Sequence, residues 1–331
     1  MSDRQLGQVI DLNKCIGCQT CTVACKRLWT DDEATAHHWW NIVNTAPGEG
    51  TPRGWESMGG GYPHGELTLG ALPSEQQFGE AWDFDFKGAR AAAAGGPHLS
   101  PLGGKPSWGP NWDEDRGGGT YPNAWYFYLP RLCNHCARPA CVEACPVKAI
   151  GKQDDGLVVL DEDKCLGNQL CAMACPYKRI YFSAPNKQSR KCIGCFPRIE
   201  RGVAPACVRQ CPGRVRHFGW LDDPDSQVHQ LVHVWKVALP LHPEFGTDPQ
   251  VFYVPPMGAA ALDEAGVPDP GRDRIPREYL RSLFGDSVDA ALELLRGERA
   301  RRMGGEPSEL MDLLISRRWS DMLGGFDRGP V

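Results

Sequence analysis

The sequence predicts an α+β protein with a body organised around cysteines, a long loop-rich insertion and C-terminal helices. Three observations carry this. All 15 cysteines fall into four groups: Cys15, Cys18, Cys21, Cys25; Cys133, Cys136, Cys141, Cys145; Cys165, Cys171, Cys175; and Cys192, Cys195, Cys207, Cys211. Glycine (38) and proline (28) make up about a fifth of the 331 residues, so much of the chain runs as loops. Apolar residues at a sustained helical period are evident only near the end, beyond Asp286.

The first group reads C-x2-C-x2-C-x3-C from Cys15. In bacterial ferredoxins three cysteines of such a run surround one iron–sulfur cubane, and the fourth, one helical turn on, reaches a neighbouring cluster. Clusters therefore come in pairs. Pro146, Pro176 and Pro212 follow the last cysteine of their groups, as this pattern expects, whereas Lys26 follows Cys25. A disulfide framework leaves one thiol over and belongs to small secreted domains. Zinc needs paired C-x2-C knuckles, and the tight first run does not turn four thiolates onto one tetrahedral ion.

Next comes a tract between Cys25 and Cys133 that holds eight of the eleven tryptophans, with Gly59-Gly-Gly61 and Gly117-Gly-Gly119. It has two readings: an arm that buries aromatic anchors in a large partner, or rings that cover the cluster-bearing body of the same chain. Groups two and three are joined by Val147-Lys-Ala-Ile150, Asp154-Asp-Gly156 and Leu157-Val-Val-Leu160, a strand pair around a turn. Groups one and four are distant, yet N-K-C-I-G-C at Asn13 echoes R-K-C-I-G-C at Arg190.

Two ferredoxin-like two-cluster modules follow: residues 1–29 with 186–220, and residues 130–185. The insertion is 30–129 and a C-terminal extension is 221–331. Crossed wiring then assigns Cys15, Cys18, Cys21 with Cys211; Cys192, Cys195, Cys207 with Cys25; Cys133, Cys136, Cys141 with Cys175; and Cys165, Cys171 with Cys145. In the last set Asn168 stands where a cysteine is due. A neutral amide oxygen is a poor ligand for an iron that prefers anionic sulfur. The three thiolates suit a 3Fe-4S cluster beside three 4Fe-4S clusters; the alternative is a 4Fe-4S cluster whose fourth iron carries water, hydroxide or the Asn168 oxygen.

In the extension, Asp286 or Ser287 caps a helix with Val288, Ala291, Leu292 and Leu295 on one face, and Ser308 caps one carrying Leu310, Leu313 and Leu314. His229 and His233 stand four apart without an intervening glutamate and read as an exposed or packed pair rather than ligands, and His135, inside a complete motif, reads as a bystander. A net charge of -5 and a pI near 6.0 give no footprint for nucleic acid. The sequence from Met1 lacks a signal-peptide core. Apolar stretches such as Val237 to Leu241 fall far short of the ~20 residues of a membrane span.

Five phrases along the chain carry a family resemblance: D-L-N-K-C-I-G-C-Q-T-C-T from Asp11, W-D-E-D-R-G-G-G from Trp112, K-V-A-L-P-L-H-P-E-F-G-T from Lys236, V-P-P-M-G-A from Val254 and S-E-L-M-D-L-L-I-S from Ser308. With the cysteine groups, they resemble the iron-sulfur β subunit of the dimethyl sulfoxide reductase superfamily of molybdenum enzymes, in particular ethylbenzene, steroid C25 and dimethyl sulfide dehydrogenases. The resemblance implies three 4Fe-4S clusters and one 3Fe-4S cluster. It also implies an α subunit with molybdenum bis(molybdopterin guanine dinucleotide), a γ subunit with haem b, and a periplasmic complex exported on the α subunit's twin-arginine signal.

On this basis the chain is an electron-transfer subunit with no catalytic residue of its own, serving a hydrocarbon-hydroxylating dehydrogenase. Selenate and chlorate reductases, whose β subunits are similar, are the alternative. A self-sufficient iron–sulfur enzyme using the Asn168 cluster as a Lewis acid is a further reading, for which Tyr177, Lys178 and Arg179 are the nearest polar groups.

Overall fold

The computed structural model describes residues 4–30, 35, 37–79 and 117–329. The strands used below are β1 (Leu6–Asp11), β2 (Asn41–Ala46), β3 (Phe127–Leu132), β4 (Ile150–Lys152), β5 (Val158–Leu160), β6 (Ile180–Ser183), β7 (Gln188–Lys191), β8 (Arg216–Trp220), β9 (Leu239–Pro240) and β10 (Val251–Val254). The helices used below are α1 (Thr20–Trp29), α2 (Ala140–Glu143), α3 (Leu170–Ala174), α4 (Ala206–Arg209), α5 (Arg277–Phe284), α6 (Val288–Met303) and α7 (Glu309–Ile315).

A four-stranded sheet in the order β8-β1-β10-β9 ties the two ends of the cysteine-bearing region together. β1 leads into Cys15, β8 leaves Cys211, and the two run antiparallel with Ile10 opposite Arg216. β10 joins β1 in parallel, Ile10 facing Tyr253. β1 is buried along its whole length. Its pleat sends successive side chains to opposite faces: Ile10 packs with Tyr253, Leu283 and Phe284, while Val9 packs with Val254, Leu295 and Leu310. The C-terminal helices thus contribute to the core on both sides of β1.

The hairpin expected around Asp154–Gly156 is present as β4–β5, with Ile150 opposite Leu160. A matching hairpin, β6–β7, follows Cys175 and pairs Ile180 with Lys191. Helix α6 begins after Ser287 and buries Val288, Ala291, Leu292 and Leu295, as the apolar period predicts. Ser308 caps α7 by accepting from Met311 N at 3.1 Å, while its hydroxyl donates to Glu298 Oε2 at 2.6 Å. Helix α5 has no counterpart in the sequence reading; its eight residues span barely two turns, too short for a period to stand out.

In the insertion, β2 pairs with β3 over six residues. Trp39 and Trp40 pack with Cys25, Ile42 and Tyr181, and the Arg131 guanidinium stacks 3.4 Å from the centroid of Trp55. These three indoles are buried within this chain. They therefore do not anchor a partner, which corrects the arm reading at these positions in favour of rings covering the chain's own body. Each fully buried indole removes roughly 200 Å² from water, about 5 kcal/mol as an upper bound. Trp82, Trp108 and Trp112, with the first residues of the phrase from Trp112, lie outside the described residues.

Candidate functional site

The cysteine loops are built by backbone conformations that few residues tolerate. Gly17, Gly167 and Gly194, each two residues after a group's first cysteine, have φ of 68°, 71° and 66°, a region glycine enters without penalty. A Cβ at Gly17 would lie 2.5 Å from the Tyr128 ring, and one at Gly167 2.5 Å from the Lys187 carbonyl oxygen. Gln19 and Gln169, at φ 56° and 57°, then start α1 and α3.

Helices place the remaining cysteines. Cys21 and Cys25 lie on α1, Cys141 and Cys145 on and just beyond α2, Cys171 and Cys175 on and at the end of α3, and Cys207 and Cys211 on and just beyond α4. Four residues is just over one turn, so each pair shares a face at two heights. Because α1 packs on α4 and α2 on α3, each helix offers one thiol to each of two neighbouring spaces.

Three cavities show the result. Cys15, Cys18, Cys21 and Cys211 line the first, beside Val43 and Arg216. Cys25, Cys192, Cys195 and Cys207 line the second. Cys133, Cys136, Cys141 and Cys175 line the third, beside Lys191. In each, three cysteines of one group meet one from its partner group. Cys145, Cys165 and Cys171 form the fourth set: the thiol of Cys171 is raised by burial and by the charges of Cys165 and Cys145. Ser189 N donates to Cys165 Sγ at 3.3 Å, Cys171 Sγ lies 3.6 Å from Ser189 Oγ, and Ala149 N donates to Cys145 Sγ at 3.2 Å. Asn168 occupies the loop position of Cys18; both are exposed.

These sulfurs are poised for metal rather than for free thiolate chemistry. All fifteen are free of disulfides. Burial first, then neighbouring thiols, push Cys192 up to about 12; burial likewise leads in raising Cys15 and Cys195 to about 11 and Cys207 to about 12. Buried thiols of this kind lose their protons only in exchange for metal. Among the described residues no three His, Cys, Asp or Glu side chains close on a single ion.

Two buried cations supply an independent test of fit. Lys191 is 4% exposed and Arg216 2% exposed, and among the described residues neither pairs with a carboxylate. Burial acts to discharge Arg216, but Cys21, Cys207, Cys211 and Cys15 outweigh it and raise its affinity for the proton. For Lys191 burial is likewise outweighed, by Cys133, Cys141 and Cys192. A buried charge without a counter-ion is costly, and a negatively charged thiolate-bound cluster in these cavities would be the anion that offsets it.

The sequence reading missed Arg216, Lys191, Asn41 and Trp29. Asn41 Nδ2 donates to Cys21 Sγ at 3.2 Å, and Trp29 Nε1 to Cys195 Sγ at 3.1 Å. The visible signal was a basic residue beside the last group, in R-K-C at Arg190 and in P-G-R-V-R at Pro212. His135 Nδ1 accepts from Val158 N at 3.0 Å and His229 Nδ1 lies 2.7 Å from the Leu221 carbonyl, while His233 is exposed.

Residues 124–221 match the 4Fe-4S dicluster domain family. The chain is 51% identical to perchlorate reductase subunit beta of Dechloromonas aromatica over 321 residues, covering 97% of this chain and 96% of that one. It is 50% identical to selenate reductase subunit beta of Thauera selenatis, covering 98% and 100%. Dimethylsulfide dehydrogenase subunit beta of Rhodovulum sulfidophilum is 49% identical, with 97% and 99% covered. The chain belongs to the iron-sulfur β-subunit family of the dimethyl sulfoxide reductase superfamily. This β subunit is an electron-transfer component of a multi-subunit molybdenum oxidoreductase, with a mixed helix-and-sheet fold that contains a 4Fe-4S dicluster domain. No helix among its described residues is long and apolar enough to cross a membrane.

Proposed function

We propose that the β subunit relays single electrons through four iron–sulfur clusters between a molybdopterin α subunit and a haem b γ subunit. The observation that carries this is the convergence of cysteines from paired groups on common cavities. Three 4Fe-4S clusters are assigned to Cys15, Cys18, Cys21 and Cys211; to Cys25, Cys192, Cys195 and Cys207; and to Cys133, Cys136, Cys141 and Cys175. Cys145, Cys165 and Cys171 hold the fourth, a 3Fe-4S cluster, with Asn168 at the vacant corner. The two cluster pairs define two ferredoxin-like modules, residues 1–29 with 186–220 and residues 130–185, flanked by the 30–129 insertion and the 221–331 extension.

The order of the relay follows from what lies between the cavities. Helix α1 carries Cys21 of the first cavity and Cys25 of the second. The side chain of Lys191 borders the third cavity, and its carbonyl neighbour Cys192 lines the second. Helix α2 carries Cys141 of the third set with Cys145 of the fourth just beyond it, and α3 carries Cys171 of the fourth with Cys175 of the third at its end. Bound clusters supply reversible one-electron redox chemistry; the protein fixes their spacing, excludes water and sets their charge environment.

No residue of this chain touches a substrate in such a relay, so its sequence is shaped by clusters and subunit contacts. The nearly even similarity to perchlorate, selenate and dimethylsulfide relatives fits that view. A hydrocarbon-hydroxylating dehydrogenase is the assignment drawn from the tail phrases, with an oxyanion reductase such as selenate or chlorate reductase beside it. The complex is periplasmic on this proposal, carried out by a twin-arginine signal on the α subunit. Purification of the native protein tests the whole reading: a molybdenum-containing large subunit and haem b are expected to copurify. Bleaching of the clusters by an alkylbenzene assigns the first substrate class, and reoxidation of reduced clusters by chlorate or selenate assigns the second. A chain that purifies alone with clusters intact overturns the relay.

A further inference from the structure

Arg216 begins β8, five residues after Cys211 and opposite Ile10 of β1. Its Nη2 donates to Asn41 Oδ1 at 2.7 Å and lies 3.4 Å from Cys21 Sγ, the same sulfur to which Asn41 Nδ2 donates. Its Nη1 is buried without a hydrogen-bond partner. A guanidinium has five N–H donors and stays charged throughout the accessible pH range. Its charge is therefore permanent, and among the described residues its side-chain partners are the Cys21 sulfur and the Asn41 amide oxygen rather than a carboxylate. Arg216 lines the first cavity with Cys15, Cys21 and Cys211, and Asn41, to which it donates, lines the second with Cys207.

We infer that Arg216 is a shared redox-tuning residue: one fixed buried cation, aimed by Asn41, that raises the reduction potentials of the clusters at both the Cys15 and the Cys192 sites. The inference rests on the cluster assignment proposed above. Each reduction adds one negative charge to a cluster, and a cation held in a water-poor interior favours that added charge far more than one in solvent. Asn41 contributes by satisfying Nη2 and by fixing the plane of the guanidinium against Cys21. A single residue thus lifts two adjacent stations of the relay together.

The test is a redox titration of the complete complex followed by electron paramagnetic resonance, with iron content measured alongside. Arg216→Gln is expected to retain iron and to lower the reduction equilibrium constants of both clusters at least tenfold, 59 mV for one electron. The two clusters at the Cys133 and Cys165 sites keep their potentials, and Arg216→Lys recovers most of the shift. Should Arg216→Gln fail to load iron, Asn41→Asp, isosteric and placing a carboxylate on the guanidinium, is expected to lower the same two potentials. Iron-replete Arg216→Gln or Asn41→Asp with both potentials unchanged overturns the inference, as does an equal shift at all four clusters. A wild type with no cluster at the Cys15 and Cys192 sites overturns instead the assignment beneath it.

Discussion

In the loop from Asp11 to Cys25 and the loop from Asp161 to Cys175, the chain repeats one construction with different surroundings. An aspartate accepts from a backbone N–H two residues on, Asn13 N at 3.0 Å and Asp163 N at 3.2 Å. A lysine three residues on pairs with it, Lys14 at 3.8 Å and Lys164 at 2.8 Å. Glycine and glutamine at positive φ then turn the chain into a helix bearing two cysteines. The first loop is keyed into the core through buried Asp11, and Lys14 Nζ also reaches the carbonyls of Arg214 and Leu314. The second stands at the surface, and where the first has Cys18 it has Asn168. Since the backbone is the same with either residue, the loop's shape does not depend on the fourth thiol. On the proposed cluster assignment, that one side chain sets how many irons are held.

Exchanging that side chain in the first loop gives the largest expected effect. Cys18→Asn is expected to turn the Cys15 site into a second three-iron site, with one iron lost per chain and a second near-isotropic resonance. Loss of the whole cluster would show that the first loop, unlike the second, needs its fourth thiol to close.

A smaller effect separates the loops by their backbones. Alanine at Gly17 or Gly167 is strained by its φ, at a cost of about 1–2 kcal/mol. At Gly17 the new methyl group meets the half-buried Tyr128 side chain, whereas at Gly167 it meets a backbone carbonyl. Thermal unfolding of the complex is therefore expected to show Gly167→Ala as the more destabilised. The reverse order would mean that the ring, not the backbone, sets the fit.

The smallest effect concerns the lysines. Lys14→Ala removes two bonds to carbonyls and is expected to cost about 1–2 kcal/mol. Lys164→Ala breaks an exposed pair and is expected to leave the unfolding midpoint unchanged. Equal losses would contradict the division into a buried and a surface loop.

Much of this was legible beforehand because ligand spacing is a covalent signal: which cysteines share a space follows from the runs and the echo between Cys15 and Cys192. The hairpin β4–β5 and the Ser308 cap of α7 were legible for the same local reasons, whereas α6 starts after Ser287 without the side-chain cap expected from Asp286 or Ser287. Arg216 and Asn41 were not, because a buried arginine reads like a surface one until β8 is set against β1 and β2 is folded over α1. Trp39, Trp40 and Trp55 carried no mark of whether this chain or a partner would cover them. That was decided by long-range packing onto Cys25, Tyr181 and Arg131.

The most direct test of the central claim is the electron paramagnetic resonance spectrum of the oxidised complex as isolated, beside that of Asn168→Cys. The wild type is expected to show the near-isotropic signal of a 3Fe-4S cluster without any treatment. In the variant that signal is expected to be lost, the vacant corner taking iron and a fourth thiolate. The added negative charge lowers the potential, so haem reduction slows while molybdenum chemistry continues. A wild type without the signal, or a variant with the wild-type spectrum and unchanged haem reduction rate, would contradict the assignment of Asn168 as the residue that leaves one corner open.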